Sequence, residues 1–215
     1  MKKILSFILL GATSLVASAQ ISSLDELSTD KAYTIYNPFY TTYAVYNAEK
    51  STSLVWAAGM TASDKTIADQ SYTTPFNAAD PSSSWMIVPF NEQWFVYNLG
   101  AKKFMAVGHT AANSSTASAK LQDTPVAVEF TSNGNGGFHL RSYDGNQNFL
   151  CAAPQLSYPI SIWTSADNGS TWKIEENAQV QADYETCMQK LKEAFPETVA
   201  LKIDTRHGYV WSTKN

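Results

Sequence analysis

Residues 94–108, WFVYNLGAKKFMAVG, carry two short apolar runs on either side of a polar turn from Gly100 to Lys103. Residues 43–59 (YAVYNAEKSTSLVWAAG) and residues 138–154 (FHLRSYDGNQNFLCAAP) follow the same plan. Apolar runs of this length bounded by Gly, Asn, Asp and Lys read as strands joined by a turn. Three copies of one strand–turn–strand unit decide the architecture more firmly than any single residue decides the chemistry.

Two rulers measure the repeat. Leu54, Met105 and Leu150 stand 51 and 45 residues apart when taken as equivalent, and the closing aromatics Trp85, Phe130 and Trp172 stand 45 and 42 apart. Each closing aromatic belongs to a further alternating stretch (WMI, VAVEF, WKI), so each unit holds about four strands. A propeller of such units closes with roughly four to eight of them. Three units predict an all-β chain folded as a β-trefoil, with three four-stranded repeats about a pseudo-threefold axis. The span from Lys31 to Glu176, residues 31–176, is 146 residues long and suits one such domain.

The first 19 residues read as a secretory signal peptide. Lys2 and Lys3 precede the apolar run Ile4 to Leu10, and Ala17-Ser18-Ala19 supplies the small residues of a cleavage site, so the mature chain is expected to begin at Gln20. A membrane helix needs roughly 18 uninterrupted apolar residues, and Gly11, Thr13 and Ser14 break this run. No Cys lies near the cleavage site to carry a lipid, so a soluble, secreted product without membrane attachment is expected. Loss of Lys2 and Lys3 leaves 13 basic against 19 acidic residues, a formal charge of −6. Such a surface is a poor partner for nucleic acid, whose recognition rests on a basic footprint.

Residues 20–30 form a polar lead-in in which Ser23 and Glu26 have capping-box spacing for one helical turn. Past Glu176, Val180, Tyr184, Cys187, Met188, Leu191 and Phe195 recur at helical spacing and Pro196 stops the run, giving an amphipathic helix over residues 177–195. That stripe suits an element packed on the trefoil and equally a linker into a further domain. Residues 196–215 alternate like one or two strands and read as a tail or as the start of a further domain. Cys151 and Cys187 can pair only if the helix docks against the third unit, which the sequence leaves open.

No catalytic constellation emerges. His109, His139 and His207 lack the short spacings of a zinc site, and no nucleophile elbow or phosphate-binding glycine loop occurs. Asp80, Glu92 and Glu129 fall on turns and strand edges, where solvated charge is expected, rather than as a facing pair of carboxylates. The expectation is a protein that is not an enzyme and that uses neither cofactor nor metal.

Tyr, Trp and Phe make up 13% of the chain, and several stand in or beside loops. A sugar offers an apolar C–H face and an edge of hydroxyls, so a site needs a flat ring together with carboxylate or amide groups. The third unit supplies both: Tyr143, Asp144 and Asn146 crowd one turn, and Tyr158 and Trp163 follow in the same lobe. Asp144-Gly145-Asn146 is also a plain hairpin signal, and Trp163 suits a core position as well as a ligand-facing one.

The run YNLGAKKFMAVG, then FLCAAP, then DNGSTWKIEE at Asp167 to Glu176 resembles the ricin-type β-trefoil lectin domains that Bacteroidetes attach to secreted proteins. The resemblance covers about Lys31 to Glu176. It implies carbohydrate binding by up to three related lobes, each with an aromatic platform and an Asp or Asn near a turn, without catalysis. The family's Gln-x-Trp triplet is absent here, the closings reading SSWMI, VAVEF and STWKI. The partner implied is a glycan or polysaccharide. Alternatives are an accessory or protein-interaction domain serving a downstream or separate secreted enzyme, and a trefoil protease inhibitor presenting Lys102-Lys103 or Lys120.

Overall fold

Asn37 and Asn98 each end a strand with a side chain that the next turn uses. Asn37 Oδ1 accepts from the Tyr40 N–H at 2.9 Å and Asn98 Oδ1 accepts from the Ala101 N–H at 2.8 Å. Each turn then passes through a left-handed residue, Thr41 (φ 49°) or Lys102 (φ 54°), which reverses the chain. The amides face the other way. Asn37 Nδ2 donates to the carbonyls of Asn168, Gly169 and Thr171, and Asn98 Nδ2 to those of Ser82 and Ser84. The two 3-10 turns held in this way, Asn168–Ser170 and Pro81–Ser83, are capped by Asp167 and Asp80.

In this computed structural model residues 19–59, 74–108, 118–143, 148–152, 159–196, 201–204 and 209–212 are described. Twelve strands fall into three lobes. The first holds β2 (Tyr33–Asn37), β3 (Thr42–Asn47), β4 (Ser51–Ala58) and β5 (Trp85–Phe90), preceded by the short β1 (Gln20–Ile21). The second holds β6 (Gln93–Asn98), β7 (Lys103–Ala106), β8 (Lys120–Gln122) and β9 (Val128–Ser132). The third holds β10 (Phe138–Ser142), β11 (Phe149–Cys151), β12 (Ser161–Trp163) and β13 (Lys173–Glu176).

First and fourth strands pair in the order β13, β2, β5, β6, β9, β10, and the Phe138–Trp172 bridge closes the ring as a barrel. The middle strands form caps, β3 with β4, β7 with β8 and β11 with β12. Where the caps meet, the Val55 N–H donates to Ala119 O, the Ala119 N–H to Ile160 O and the Ile160 N–H to Val55 O, at 2.9, 2.8 and 2.8 Å. One hydrogen bond from each lobe closes a cycle about the axis, and the fold is a β-trefoil.

The register corrects one sequence equivalence. Tyr36 pairs with Tyr43, Tyr97 with Phe104 and Arg141 with Phe149. The counterpart of Met105 and Leu150 is therefore Ala44, and all three are fully buried. Leu54 stands on the next strand, bridges Lys120 and is only half-buried. Matching bulk with bulk slipped the first lobe by one strand, because a small residue fills its central position. In the same way Val128, which pairs with Trp94, occupies the place of Trp85 and Trp172. Phe130 lies two residues further on, edge-on to Trp94 and Phe138 at 6.3 Å.

The inner layer is apolar: Tyr33, Ile35, Trp85, Met105, Phe138, Leu150 and Trp172 are at most 1% exposed. A second cluster lies outside the barrel, where Cys187 and Leu191 of α1 (Tyr184–Ala194) cover Met86, Val88, Phe95, Tyr97 and Phe104. Burying a side chain such as Leu191 contributes about 1.5–3 kcal/mol. The helix starts later than its stripe suggests because Asn177 holds the chain in a turn. Its Nδ2 donates to Ala78 O at 2.7 Å and Ser84 Oγ at 2.8 Å, and its Oδ1 accepts from the Gln179 N–H. Asp183 then caps α1 by accepting from the Thr186 N–H. The helix thus packs on the trefoil, and the packing is compatible with either role. Among the described residues no helix is long and apolar enough to cross a membrane. Strands β14 (Leu201–Asp204) and β15 (Tyr209–Ser212) pair as a separate antiparallel ribbon.

Candidate functional site

Alternation sends Leu140, Leu150 and Ile162 into the core and turns their neighbours outward. Register then lines up Glu129, Arg141, Phe149 and Trp163 side by side across β9, β10, β11 and β12 on the outer face of the third lobe. All four are half-buried. Arg141 Nη2 donates to Glu129 Oε1 at 2.6 Å, which places an ion pair at one end of the row. His139 stands edge-on to Phe149 with ring centres 5.9 Å apart, and its Nδ1 lies 2.9 Å from Ser170 O. A carbonyl only accepts, so Nδ1 is the donor in this contact.

Of the residues singled out from sequence, Trp163 closes this row and Tyr143 follows β10 two residues past Arg141, 50% exposed. No ring contact joins Tyr143 to Trp163. Asp144, Asn146 and Tyr158 lie outside the described residues. Asn148, at the foot of the same turn, is 4% exposed, and its Nδ2 has no partner among the described residues. Arg141, His139 and Phe149 were not picked out. The signal was present in the alternation of FHLRS, but a strand's outward residues read as ordinary solvated surface until the neighbouring strand is known.

The equivalent row of the second lobe is Met86, Tyr97, Phe104 and Gln122. The first three are fully buried under α1, so this lobe offers no open face there. Burial pushes the Tyr97 hydroxyl well above the usual tyrosine range, and that hydroxyl has no partner among the described residues. The row of the first lobe is Lys173, Tyr36, Tyr43 and Ala58. Here Tyr36 and Tyr43 are half-exposed, with ring centres 4.6 Å apart, and Phe76 stacks on Tyr43 at 3.7 Å and 13°.

Among the described residues no group of three or more His, Cys, Asp or Glu is arranged to hold a metal ion. His109 and His207 lie outside the described residues. Cys151 and Cys187 are both free and buried, which pushes their thiols up to about 11 and about 12 and keeps them protonated near neutral pH.

No protein-family model and no curated protein matches the chain. Solved structures do. The Macrolepiota procera ricin B-like lectin, solved in complex with lactose, matches 69% of this chain and 97% of its own, at 14% identity and a TM-score of 0.53. The Rhizoctonia solani agglutinin matches 68% of this chain and 95% of its own, at 14% identity and a TM-score of 0.50. A mosquitocidal holotoxin matches 70% of this chain over 18% of the toxin, at 12% identity and a TM-score of 0.51. At these identities the likeness is one of fold: the chain is built like the β-trefoil of ricin B-like lectins.

Proposed function

We propose that this chain is a secreted carbohydrate-binding, lectin-like module without catalysis, and that the outer face of its third lobe holds a sugar. The observation that carries this reading is the row of Phe149 and Trp163 beside the Arg141–Glu129 pair. It sets two half-buried aromatic side chains beside charged hydrogen-bonding groups, the two kinds of group that the sides of a sugar ring call for. Tyr143, Asp144, Asn146 and Tyr158 come from the adjoining segments of the same lobe and complete the proposed site. Likeness to a lectin solved with lactose supports the reading at the level of the fold.

A shallow site of this kind binds weakly, at roughly millimolar to micromolar Kd. Affinity electrophoresis and a glycan array test it. Trp163→Ala and Asp144→Ala are expected to abolish retention while leaving the far-ultraviolet spectrum unchanged. Absence of retention of any glycan by the folded parent overturns the proposal.

A second reading, an accessory domain of a larger secreted protein, draws support from the holotoxin, of which a trefoil of this kind forms only a part. Of the lysines that the inhibitor reading presents, Lys120 and the Lys102 side chain are exposed, whereas the Lys103 side chain is bonded to the first lobe. Lys103 Nζ donates to Thr52 O at 3.1 Å, and Lys190 Nζ donates to the Lys102 carbonyl at 2.7 Å.

A further inference from the structure

The first lobe carries a cavity of about 150 Å³ that the third-lobe reading does not use. Tyr43 and Phe76 line it together with Glu175, Glu176, Asn177 and Gln179. The volume is about ten times what one water needs and below the roughly 300 Å³ at which sites for drug-sized ligands begin. It suits one small ring.

Its walls are rigid for separate reasons. Tyr43 is packed between Tyr36 and Phe76, so the aromatic wall is a ladder of three rings. Asn177, also in the lining and only 6% exposed, has its amide held by Ala78 and Ser84. A site whose groups are fixed before the ligand arrives loses little ordering entropy on binding.

The charge of the rim selects the ligand. Glu176 is neutralised by Lys31 at 2.7 Å. Glu175, by contrast, has no ion-pair or hydrogen-bond partner among the described residues, and Lys173 on the same face of β13 forms no ion pair with it. Burial, reinforced by the Glu175 charge, pushes the Tyr43 hydroxyl up to about 12, so it remains a donor beside that carboxylate. An uncompensated carboxylate next to aromatic faces attracts a cation that also has an apolar side.

We propose that this cavity is a second sugar site and that it takes an amine-bearing sugar ring, with the ammonium against Glu175 and the C–H face against Phe76. The proposal rests on the carbohydrate-binding reading and assigns that function a second lobe and a chemical class. N-acetylation removes the charge that Glu175 recognises, so the site discriminates a free amine from its acetylated form.

Calorimetric titration of the full chain with glucosamine and N-acetylglucosamine oligomers of equal length tests this. The free-amine oligomer is expected to bind about tenfold or more tighter, as a charge-assisted hydrogen bond allows. Glu175→Gln is expected to bring the two oligomers to equal affinity. Phe76→Ala is expected to weaken the free-amine oligomer, and Trp163→Ala to leave it unchanged. Glu49→Gln, which removes an exposed charge elsewhere, controls for the net negative charge of the chain and should leave the preference intact. Equal affinity in the parent, or a preference that survives Glu175→Gln, overturns the site while leaving retention at the third lobe untouched. A Glu175-dependent preference in a protein that retains no other glycan supports the cavity and removes the third lobe's role.

Discussion

The indole of Trp172 donates from Nε1 to the carbonyl of Leu150 at 2.8 Å, tying the barrel strand of the third lobe to its own cap. Trp85 makes the same bond to Ala44 in the first lobe, also at 2.8 Å. The second lobe, with Val128 at this place, has no indole to offer.

Two substitutions separate packing from hydrogen bonding at Trp172. Trp172→Ala is expected to cost about 3–5 kcal/mol as a core truncation. Trp172→Phe, which keeps much of the ring but leaves Leu150 O unpaired, is expected to cost about 1–3 kcal/mol. Urea denaturation of both variants measures this, and losses below about 1 kcal/mol for Trp172→Ala contradict full burial.

Asn37→Ala removes the donor to three carbonyls, of which the Gly169 contact is buried, and the acceptor for the Tyr40 N–H. Asn98→Ala removes donors to two carbonyls and the acceptor for the Ala101 N–H. Each is expected to lower stability by about 2–4 kcal/mol, since several groups lose partners at once, with Asn37→Ala the more costly. Equal denaturation midpoints for parent and variants would show that water replaces the side chains.

Alkaline pH should destabilise the protein through its buried acids. Burial raises Cys151 to about 11, Cys187 to about 12 and Tyr43 to about 12. In the unfolded chain thiols ionise near pH 8.5 and phenols near pH 10. A raised folded pKa means the folded state holds its proton after the unfolded state has lost it. Stability is therefore complete below about pH 8.5 and falls as pH rises toward 11 and 12. Each buried thiol accounts for on the order of 3 kcal/mol of this loss. Urea midpoints measured from neutral pH to about pH 11 test the slope, and Cys187→Ala should flatten it.

Removing everything after Asn177 uncovers Phe95, Tyr97 and Phe104, now sealed by Cys187 and Leu191. The shortened chain is expected to associate, because a contiguous apolar face of this kind seeks cover. Leu191→Ala, a milder cut, should cost about 2–5 kcal/mol. Light scattering that finds the shortened protein monodisperse, together with unchanged stability, contradicts the docking of α1.

Much of the fold was legible because β7 and β11 carry bulky residues at matching places, Met105 and Leu150, and because YNLGAK and its relatives are turns by composition. The first lobe was misregistered because Ala44 fills the place that Met105 and Leu150 fill elsewhere. In the third lobe, Tyr143 and Trp163 could be read from local composition, whereas the row joining Trp163 to Arg141 needs the pairing of three strands. The first-lobe cavity was beyond reach. Phe76 and Glu175 are about a hundred residues apart, and nothing local to either announces the other. Nor does the stripe of α1 reveal which lobe it covers.

The cycle of hydrogen bonds through Val55, Ala119 and Ile160 has a kinetic consequence. Each member comes from a different third of the chain, so no lobe can complete its cap from its own residues. A polypeptide emerging from its N-terminus must carry two unfinished caps until Ile160 has been made. Contacts so distant in sequence form slowly, because the loops must close before the bonds reward them. Folding of the trefoil is thus a late, concerted event, and a chain cut short before the third lobe is left with open strand edges rather than with two-thirds of a protein.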